Sequence, residues 1–151
     1  LELHNQVRLE GYHANVADYM AESDFFVLSS NIEGMPNVII EAMQAGLPVI
    51  STECGAREIL DPGRGQEGPG EEISLGRYGI LTSVCGRETT EEEVREVCIN
   101  TVRSTEELLL AKAMETMLSD EPLQMTYRER VSEGMKRFDL SEIAAQWAAI
   151  L

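Results

Sequence analysis

The sequence contains few aromatic residues and no long apolar run. Only 5% of the 151 residues are aromatic, so the 43% hydrophobic content comes mainly from Leu, Ile, Val, Ala and Met. No segment approaches the roughly 20 apolar residues that a membrane-spanning helix requires. The first residues, LELHNQVRLEG, also lack the basic-then-apolar order of a signal peptide. These absences predict a soluble, cytoplasmic protein, or a soluble part of one, able to bury a core.

Basic residues are scarce as well. The chain has 12 Lys and Arg against 27 Asp and Glu, which gives a formal net charge of −15. Proteins that bind nucleic acids neutralise phosphates with Lys and Arg, and an anionic membrane surface repels an acidic chain. Neither nucleic acid nor a membrane surface is therefore expected as a partner.

Cysteine and histidine are too few to build a metal site or a disulfide framework. The chain has Cys54, Cys85 and Cys98, none of them in a C-x-x-C pair, and its only histidines are His4 and His13. This set lacks the spacing of zinc ligands. We therefore predict reduced, structural thiols and no bound metal.

The fold class follows from the order of apolar segments. Runs such as FFVLSS and PVIST have the continuous character of strands covered on both faces, and helical patterns alternate with them. Alternation of this kind predicts an α/β fold, a Rossmann-like parallel sheet with flanking helices. The predicted strands are residues 7–11, 24–30, 48–52 and 78–82, and the predicted helices between them are residues 15–21 and 36–45.

The second half of the chain is helical in pattern. We predict helices at residues 91–104, 106–118, 123–138 and 141–151. The chain is then one partial domain, 1–151, with a β/α core (1–82), an insertion-like loop and acidic segment (62–104) and a helical tail (105–151). The loop contains the letters of a dinucleotide fingerprint, Gly63-x-Gly65-x-x-Gly68. No strand precedes it and Pro69 follows it, so we predict an ordinary loop.

The segment EGMPNVIIEAMQAGLPVI, residues 33–50, carries the chemistry. Pro36 suits the first position of a helix because its missing N–H would have no partner there. The free N–H groups of Asn37, Val38 and Ile39 would then form an anion site suited to a phosphate. Gly34 would let a ligand approach the backbone closely.

Two glutamates flank this expected phosphate position. Asn37, Glu41 and Gln44 share one helix face, while Val38, Ile39, Ala42, Met43 and Ala45 are expected to be buried. Glu33 lies in the preceding loop, and each carboxylate could accept hydrogen bonds from vicinal hydroxyls. Hydroxyls on both sides of a phosphate describe a sugar nucleotide. The plain alternative is that Glu41 belongs to a polar stripe that only faces water.

The same residues resemble the donor-binding signature of retaining GT-B glycosyltransferases of the group 1, family 4 type. That signature has a strand ending in Ser, a Glu-Gly pair, seven residues between two glutamates, and then Gly-x-Pro-Val-Ile. Here it reads FFVLSSNIEGMPNVIIEAMQAGLPVIST, flanked by VRLEGY, GAREIL and YGILT. The resemblance covers roughly residues 7–82 and implies the C-terminal half of a GT-B fold, without its first strands.

The resemblance also implies a role for each residue of the signature. Glu41 would hold the ribose hydroxyls, and Glu33 would be the catalytic-site carboxylate that contacts the transferred sugar. Backbone N–H groups of the first helical turn would bind the diphosphate, and the loop before it would line the sugar pocket. The loop at Tyr12 and His13 would lie beside the nucleobase, although an ordinary surface-loop histidine is the favoured interpretation of His13. The implied substrate-binding residues are Gly34, Met35, Pro36, Asn37, Val38, Ile39, Glu41, Ser30, Tyr12 and His13.

The chain lacks two parts of this family pattern. The family's acceptor-binding N-terminal domain is missing, and so are the Arg and Lys that neutralise the donor diphosphate. The resemblance implies no cofactor, with a nucleoside diphosphate sugar as substrate and a role in polysaccharide biosynthesis. We expect the donor-binding portion of a hexosyltransferase-type enzyme that is inactive as an isolated fragment. The alternative is a non-catalytic interaction module, for which an exposed sheet edge offers a homodimer contact. A GT-B phosphorylase or epimerase fits the spacing of the two glutamates less well.

Overall fold

A four-stranded sheet forms the centre of the protein. The computed structural model describes residues 6–63, 70–86 and 103–150. The sheet order is β1-β2-β4-β3; β1, β2 and β4 are parallel, while β3 pairs with β4 in the antiparallel direction. The strands are β1 (Phe26–Leu28), β2 (Val49–Thr52), β3 (Ser74–Leu75) and β4 (Gly79–Thr82). The predicted α/β fold with a sheet dominated by parallel pairs is confirmed.

Helices flank this sheet and account for most of the second half of the described chain. The predicted helices at 106–118 and 123–138 are confirmed, the second ending in a short 3-10 turn, and those at 15–21 and 141–151 are confirmed with slightly shorter bounds. The short helix α3 was not predicted. The helices are α1 (Val16–Ala21), α2 (Asn37–Gln44), α3 (Arg57–Leu60), α4 (Thr105–Ser119), α5 (Glu121–Met135), the 3-10 turn (Lys136–Phe138) and α6 (Leu140–Ala148).

Both faces of the sheet are covered. On one face, Ile39 and Met43 of α2 pack with Val131 of α5 in one buried cluster. On the other face, Ala113 and Met117 of α4 pack with a second cluster. Every residue of β2 and β4 is buried as a result. This double cover explains why PVIST has an unbroken rather than an alternating apolar pattern.

The strand predicted at residues 7–11 is wrong. These residues have no regular structure, and the side chains of Val7 and Leu9 are 53% and 95% exposed. A strand needs a neighbour to pair its backbone N–H and C=O groups. In the described part of the sheet no strand lies beside these residues, and β1, with β2 on one side, is an edge strand.

Helix α2 differs from its prediction by one residue at each end. It begins at Asn37, with buried Pro36 as its N-cap, and it ends at Gln44. The exposed Ala45 therefore does not belong to the buried face that was predicted. Gly46 has the positive φ of +79° expected just after a helix end. The N–H of the next residue, Leu47, donates to the Ala42 carbonyl at 3.0 Å, which closes a Schellman motif.

The connection between α3 and β4 includes a short strand that was not predicted. It contains β3, whose Leu75 lies opposite Ile80. The remaining predictions here concern residues that lie mostly outside the described ranges: the glycine fingerprint at 63–68, of which only Gly63 is described, and the helix at 91–104. Among the helices that the structure describes, none is long and apolar enough to cross a membrane.

Candidate functional site

The loop between β1 and α2 is anchored to the carboxyl end of β2. The Glu33 N–H donates to the Cys54 carbonyl at 2.6 Å. The Thr52 hydroxyl donates to the Ser30 carbonyl at 2.5 Å. The Ser30 hydroxyl in turn donates to Oε1 of Glu33 at 2.9 Å, so this carboxylate is oriented by a residue that follows β1. The loop therefore presents Glu33 in a fixed position.

Gly55 allows the two loops to approach this closely. It has a φ of +119°, and a Cβ placed on it would lie 2.4 Å from the Glu33 carbonyl oxygen and 3.0 Å from that of Gly34. Real Cβ atoms do not approach oxygen at 2.4 Å. A side chain at position 55 would therefore displace the loop that carries Glu33.

The N-terminus of α2 offers two free backbone donors rather than three. Pro36 provides no side-chain cap, and in the described structure no acceptor is present for the N–H groups of Asn37 and Val38. The N–H of Ile39 donates to the Pro36 carbonyl at 3.0 Å, and Ile39 is fully buried. The prediction that Ile39 offers a free N–H is therefore wrong, because a tight first turn already uses it.

The polar face of α2 is arranged as the spacing predicts. Asn37, Glu41 and Gln44 are all exposed, while Ile39 and Ala42 on the opposite side are fully buried. Val38 is half-buried and Met35 in the preceding loop is 55% exposed. Glu41 thus lies one turn after the free N–H groups, on the same face as Asn37.

Two cavities lie beside these residues. The loop cavity, of about 610 Å³, is lined by Gly34 and by residues that follow β2: Glu53, Gly55, Arg57, Glu58, Asp61, Pro62 and Gly63. The helix cavity, of about 420 Å³, lies between α1 and α2 and is lined by Ala14, Asn15, Val16, Ala17, Met20, Glu41, Gln44 and Ala45. Both volumes fall in the range of small-molecule sites. Gly34 therefore lines one cavity and Glu41 lines the other.

The loop cavity contains charged residues that the sequence analysis did not single out. The Arg57 guanidinium donates from Nε to Oε1 of Glu53. This hydrogen bond raises the pKa of Arg57, although partial burial acts in the opposite direction. The available signal was their position: Glu53 and the segment GAREIL follow directly after β2, and ligands of parallel α/β sheets bind at the carboxyl ends of strands.

Tyr12 and His13 lie in the segment that leads into α1. The Tyr12 side chain is 94% exposed. Nε2 of His13 is 3.0 Å from the Glu10 carbonyl oxygen and 3.1 Å from the hydroxyl of Tyr19, and the His13 and Tyr19 rings are 4.8 Å apart. His13 is therefore held against α1, close in sequence to the residues that line the helix cavity.

Metal ligands are not clustered near either cavity. Across residues 6–63, 70–86 and 103–150, no group of three or more His, Cys, Asp or Glu side chains is arranged to hold a metal ion. The described charges that could act on a ligand here are the carboxylates, Arg57 and the N-terminus of α2.

Comparison with known proteins relates the chain to a family. Residues 1–69 match the family model for glycosyl transferases group 1. The chain is 38% identical to an uncharacterised glycosyltransferase of Methanocaldococcus jannaschii, over 100% of this chain and 36% of the relative. It is 27% identical to the N-acetylgalactosamine-N,N'-diacetylbacillosaminyl-diphospho-undecaprenol 4-alpha-N-acetylgalactosaminyltransferase of Campylobacter jejuni, over 95% of this chain and 31% of the relative.

A third relative is named as a phosphotransferase rather than as a glycosyltransferase. It is the exopolysaccharide phosphotransferase of Streptomyces coelicolor, 30% identical over 97% of this chain and 12% of the relative. The chain thus spans about a third, or less, of the length of these relatives. Residues 1–69 thus match the group 1 glycosyltransferases, and the whole chain is similar to about a third of a protein named as a glycosyltransferase.

Proposed function

We propose that this chain is the donor-binding portion of a retaining glycosyltransferase. The whole enzyme transfers a sugar from a nucleoside diphosphate sugar to a glycan or another acceptor, in polysaccharide biosynthesis. The observation that carries the proposal is the start of α2. Two unpaired N–H groups, at Asn37 and Val38, lie between Glu33 in the anchored loop and Glu41 one turn into the helix.

Each part of this arrangement suits one part of the donor. The positive end of α2 and its free N–H groups bind the diphosphate. Glu41 accepts hydrogen bonds from the ribose hydroxyls, and Glu33, fixed by Ser30, accepts them from the transferred sugar. Gly34, with no atom within 4 Å of a Cβ placed on it, leaves room for that sugar beside the backbone.

The proposed contribution to catalysis is electrostatic. When the bond from the sugar to the diphosphate breaks, negative charge develops on the leaving phosphate. Donors that already point at this position stabilise the transition state without reorganisation. No metal or other cofactor is part of the proposal. Glu33 orients the sugar, which contributes through positioning.

The remaining parts of the active site lie in the rest of the protein. The relatives are about three times as long as this chain. We propose that a further N-terminal domain supplies the acceptor site and the cationic partners of the diphosphate. The isolated chain, cut from that context, is then expected to bind donors weakly and to transfer no sugar.

Titration calorimetry tests the proposal. The wild-type protein and the Glu41→Gln variant are each titrated with UDP, GDP and their sugars. The substitution keeps the shape of the side chain but removes its charge. Loss of the charged acceptor should weaken the preferred nucleotide by about 10- to 100-fold. Glu115→Gln, at an exposed position on α4, is the matched control and should bind as the wild type does. Equal affinity of both variants would contradict the proposed role of Glu41.

A second candidate function is a non-catalytic interaction module, and two observations favour it. All three residues of the edge strand β1 are half-buried, so its apolar side chains remain partly exposed. Helix α6 has no buried residue, and its Trp147 is 65% exposed. Sedimentation of the purified protein, together with the titrations, separates the two functions: stable self-association without nucleotide binding supports the interaction module.

A further inference from the structure

Helix α3 forms part of the wall of the loop cavity but is too short to hold its own position. It has four residues, Arg57–Leu60, and the first two, Arg57 and Glu58, line the cavity. A helix of one turn has too few internal hydrogen bonds to be stable by itself. Its last two residues are buried in the cluster that α2 and α5 share, and they anchor the apolar side of the helix. The position of its polar side depends on contacts from other parts of the chain.

The guanidinium group of Arg137, in the 3-10 turn, pairs carbonyls at the end of α3. The last four carbonyls of a helix have no partner within it. In α3, the carbonyls of Arg57 and Leu60 accept hydrogen bonds from backbone N–H groups at 2.8 Å each. The two carbonyls between them accept from Arg137: Nη1 donates to the Glu58 carbonyl at 3.2 Å and Nη2 donates to that of Ile59 at 2.7 Å. One side chain thus holds much of the carbonyl end of this helix.

Arg137 is itself fixed by its surroundings. Its side chain is half-buried, and Nε donates to the Gly134 carbonyl of α5 at 3.2 Å. The guanidinium carbon lies 4.8 Å from the centre of the Tyr78 ring and 5.1 Å from that of Phe138. A planar guanidinium suits this position because it stacks on aromatic rings and still directs several N–H groups outward in its own plane. The carbonyl end of α3 is therefore tied to the turn that follows α5.

A second contact between the helical tail and this wall is weaker. The N–H of Arg77 donates to Oδ1 of Asp61, another residue of the loop cavity, at 3.1 Å. Nη2 of the same arginine lies 3.1 Å from Oε1 of Glu133 on α5. Both side chains of that ion pair are more than half exposed, and exposed pairs contribute little to stability. Arg137 is therefore the stronger of the two links.

We propose that Arg137 is a positioning residue for the loop cavity: it fixes the end of α3 and, with it, the wall that faces the transferred sugar. The inference rests on the proposed function, in which that sugar lies beside Gly34, a residue of the same cavity. Without Arg137, the buried residues still anchor α3, but its carbonyl end and its polar side chains move. The nucleotide binds at α2, whereas the hydrogen bonds of Arg137 go to α3 and α5. Arg137 therefore affects recognition of the sugar and not of the nucleotide.

Hydrogen exchange tests the positioning without any ligand. The intact protein that contains this chain is compared with its Arg137→Ala variant by mass spectrometry. The amides of Ile59, Leu60 and Asp61, which close the turn of α3, should exchange about tenfold faster in the variant, because two hydrogen bonds that hold this turn are lost. The amides of α2 should be accelerated less. Equal acceleration of both helices would mean that Arg137 only stabilises the whole domain, and would overturn the inference.

Calorimetry of the intact protein with UDP, GDP and their sugars tests the consequence for binding. Arg137→Ala should weaken the preferred nucleotide sugar by about tenfold, because the displaced wall no longer fits the sugar. The same nucleotide without its sugar should bind as it does to the wild type. Partial unfolding would instead reduce the fraction of protein that binds, for both ligands alike. An equal loss of affinity for both ligands, or no loss for the nucleotide sugar, overturns the inference.

Two further variants complete the experiment. Glu133→Gln breaks the exposed pair with Arg77 and is the matched control from the same part of the chain; it should leave the exchange rates and both affinities unchanged. Glu41→Gln should weaken the nucleotide with and without its sugar. Unselective binding changes in Arg137→Ala, together with binding lost in Glu41→Gln, overturn the inference and leave the proposed function standing. Absence of binding by the wild type to all of these ligands overturns both.

Discussion

Replacement of Gly55 by alanine tests how tightly the Glu33 loop is anchored. The backbone at position 55 has a φ of +119°, which costs a residue with a Cβ about 1–3 kcal/mol. The new Cβ would also lie 2.4 Å from the Glu33 carbonyl oxygen, so the loop must move. Movement weakens the hydrogen bond from the Glu33 N–H to Cys54, a loss of about 1 kcal/mol. The free energy of unfolding should fall by about 3 kcal/mol.

Urea unfolding followed by circular dichroism measures this change directly. In a thermal scan, the same loss should lower the Tm by roughly 6–12 °C for a chain of this size. The NMR signal of the Glu33 amide should shift as well, since its hydrogen bond is stretched. A free energy of unfolding within about 0.5 kcal/mol of the wild type would refute the reasoning, because surface substitutions alone have effects of that size.

Gly34→Ala is the matched control for this experiment. Gly34 has no atom within 4 Å of a Cβ placed on it and is not among the glycines with positive φ. Its replacement should therefore leave the free energy of unfolding within about 0.5 kcal/mol of the wild type. The added methyl group points into space that the proposed function gives to the sugar. Binding of the nucleotide sugar should weaken in Gly34→Ala although its stability is unchanged.

Three further predictions concern the helical tail. Arg137→Ala removes hydrogen bonds to the carbonyls of residues 58, 59 and 134 and the stacking on Tyr78. The free energy of unfolding, measured in urea, should therefore fall by about 2 kcal/mol. Arg137→Lys should not restore it, because an ammonium group lacks the planar fork of the guanidinium. Burial raises the pKa of Tyr127 to about 12, whereas the unfolded chain titrates near pH 10. The free energy of unfolding should therefore be constant below pH 10 and fall as the pH rises toward 12. Tyr127→Phe should remove this pH dependence, measured by urea titrations at several pH values. Ser104→Ala removes the capping box with Glu107 and should lower the free energy of unfolding by about 1 kcal/mol, whereas no change would mean that the start of α4 is held by packing alone.

The fold class could be predicted because it depends on patterns that each segment carries by itself. The apolar runs of β2 and β4 and the periodicity of α2, α4 and α5 are local features, and the structure confirms them. The strand at residues 7–11 could not be judged in this way. Its apolar and charged residues alternate as in a strand, but a strand also needs a neighbour, and pairing is a property of distant segments. The antiparallel strand β3 was missed for the same reason.

The candidate site was predictable in part. The spacing of Asn37, Glu41 and Gln44 placed them on one face, as the structure confirms. Their roles in binding stay predictions. The charged pair in the loop cavity, Glu53 and Arg57, was missed because neither residue belongs to a pattern that periodicity can detect. Only the adjacent ends of β1 and β2 bring this pair close to Gly34.

The sequence by itself determined the polar face of α2, the helix end just before Gly46 and the family signature, because each depends on residues a few positions apart. The tertiary structure decided the rest. In the folded protein the N–H of Ile39 is hydrogen-bonded within a tight turn, and the Gly55 backbone lies close to the Glu33 loop. A cavity also forms between α1 and α2. These features arise where separate segments meet, and the geometry of such contacts is fixed by the packing of the whole domain rather than by any one segment.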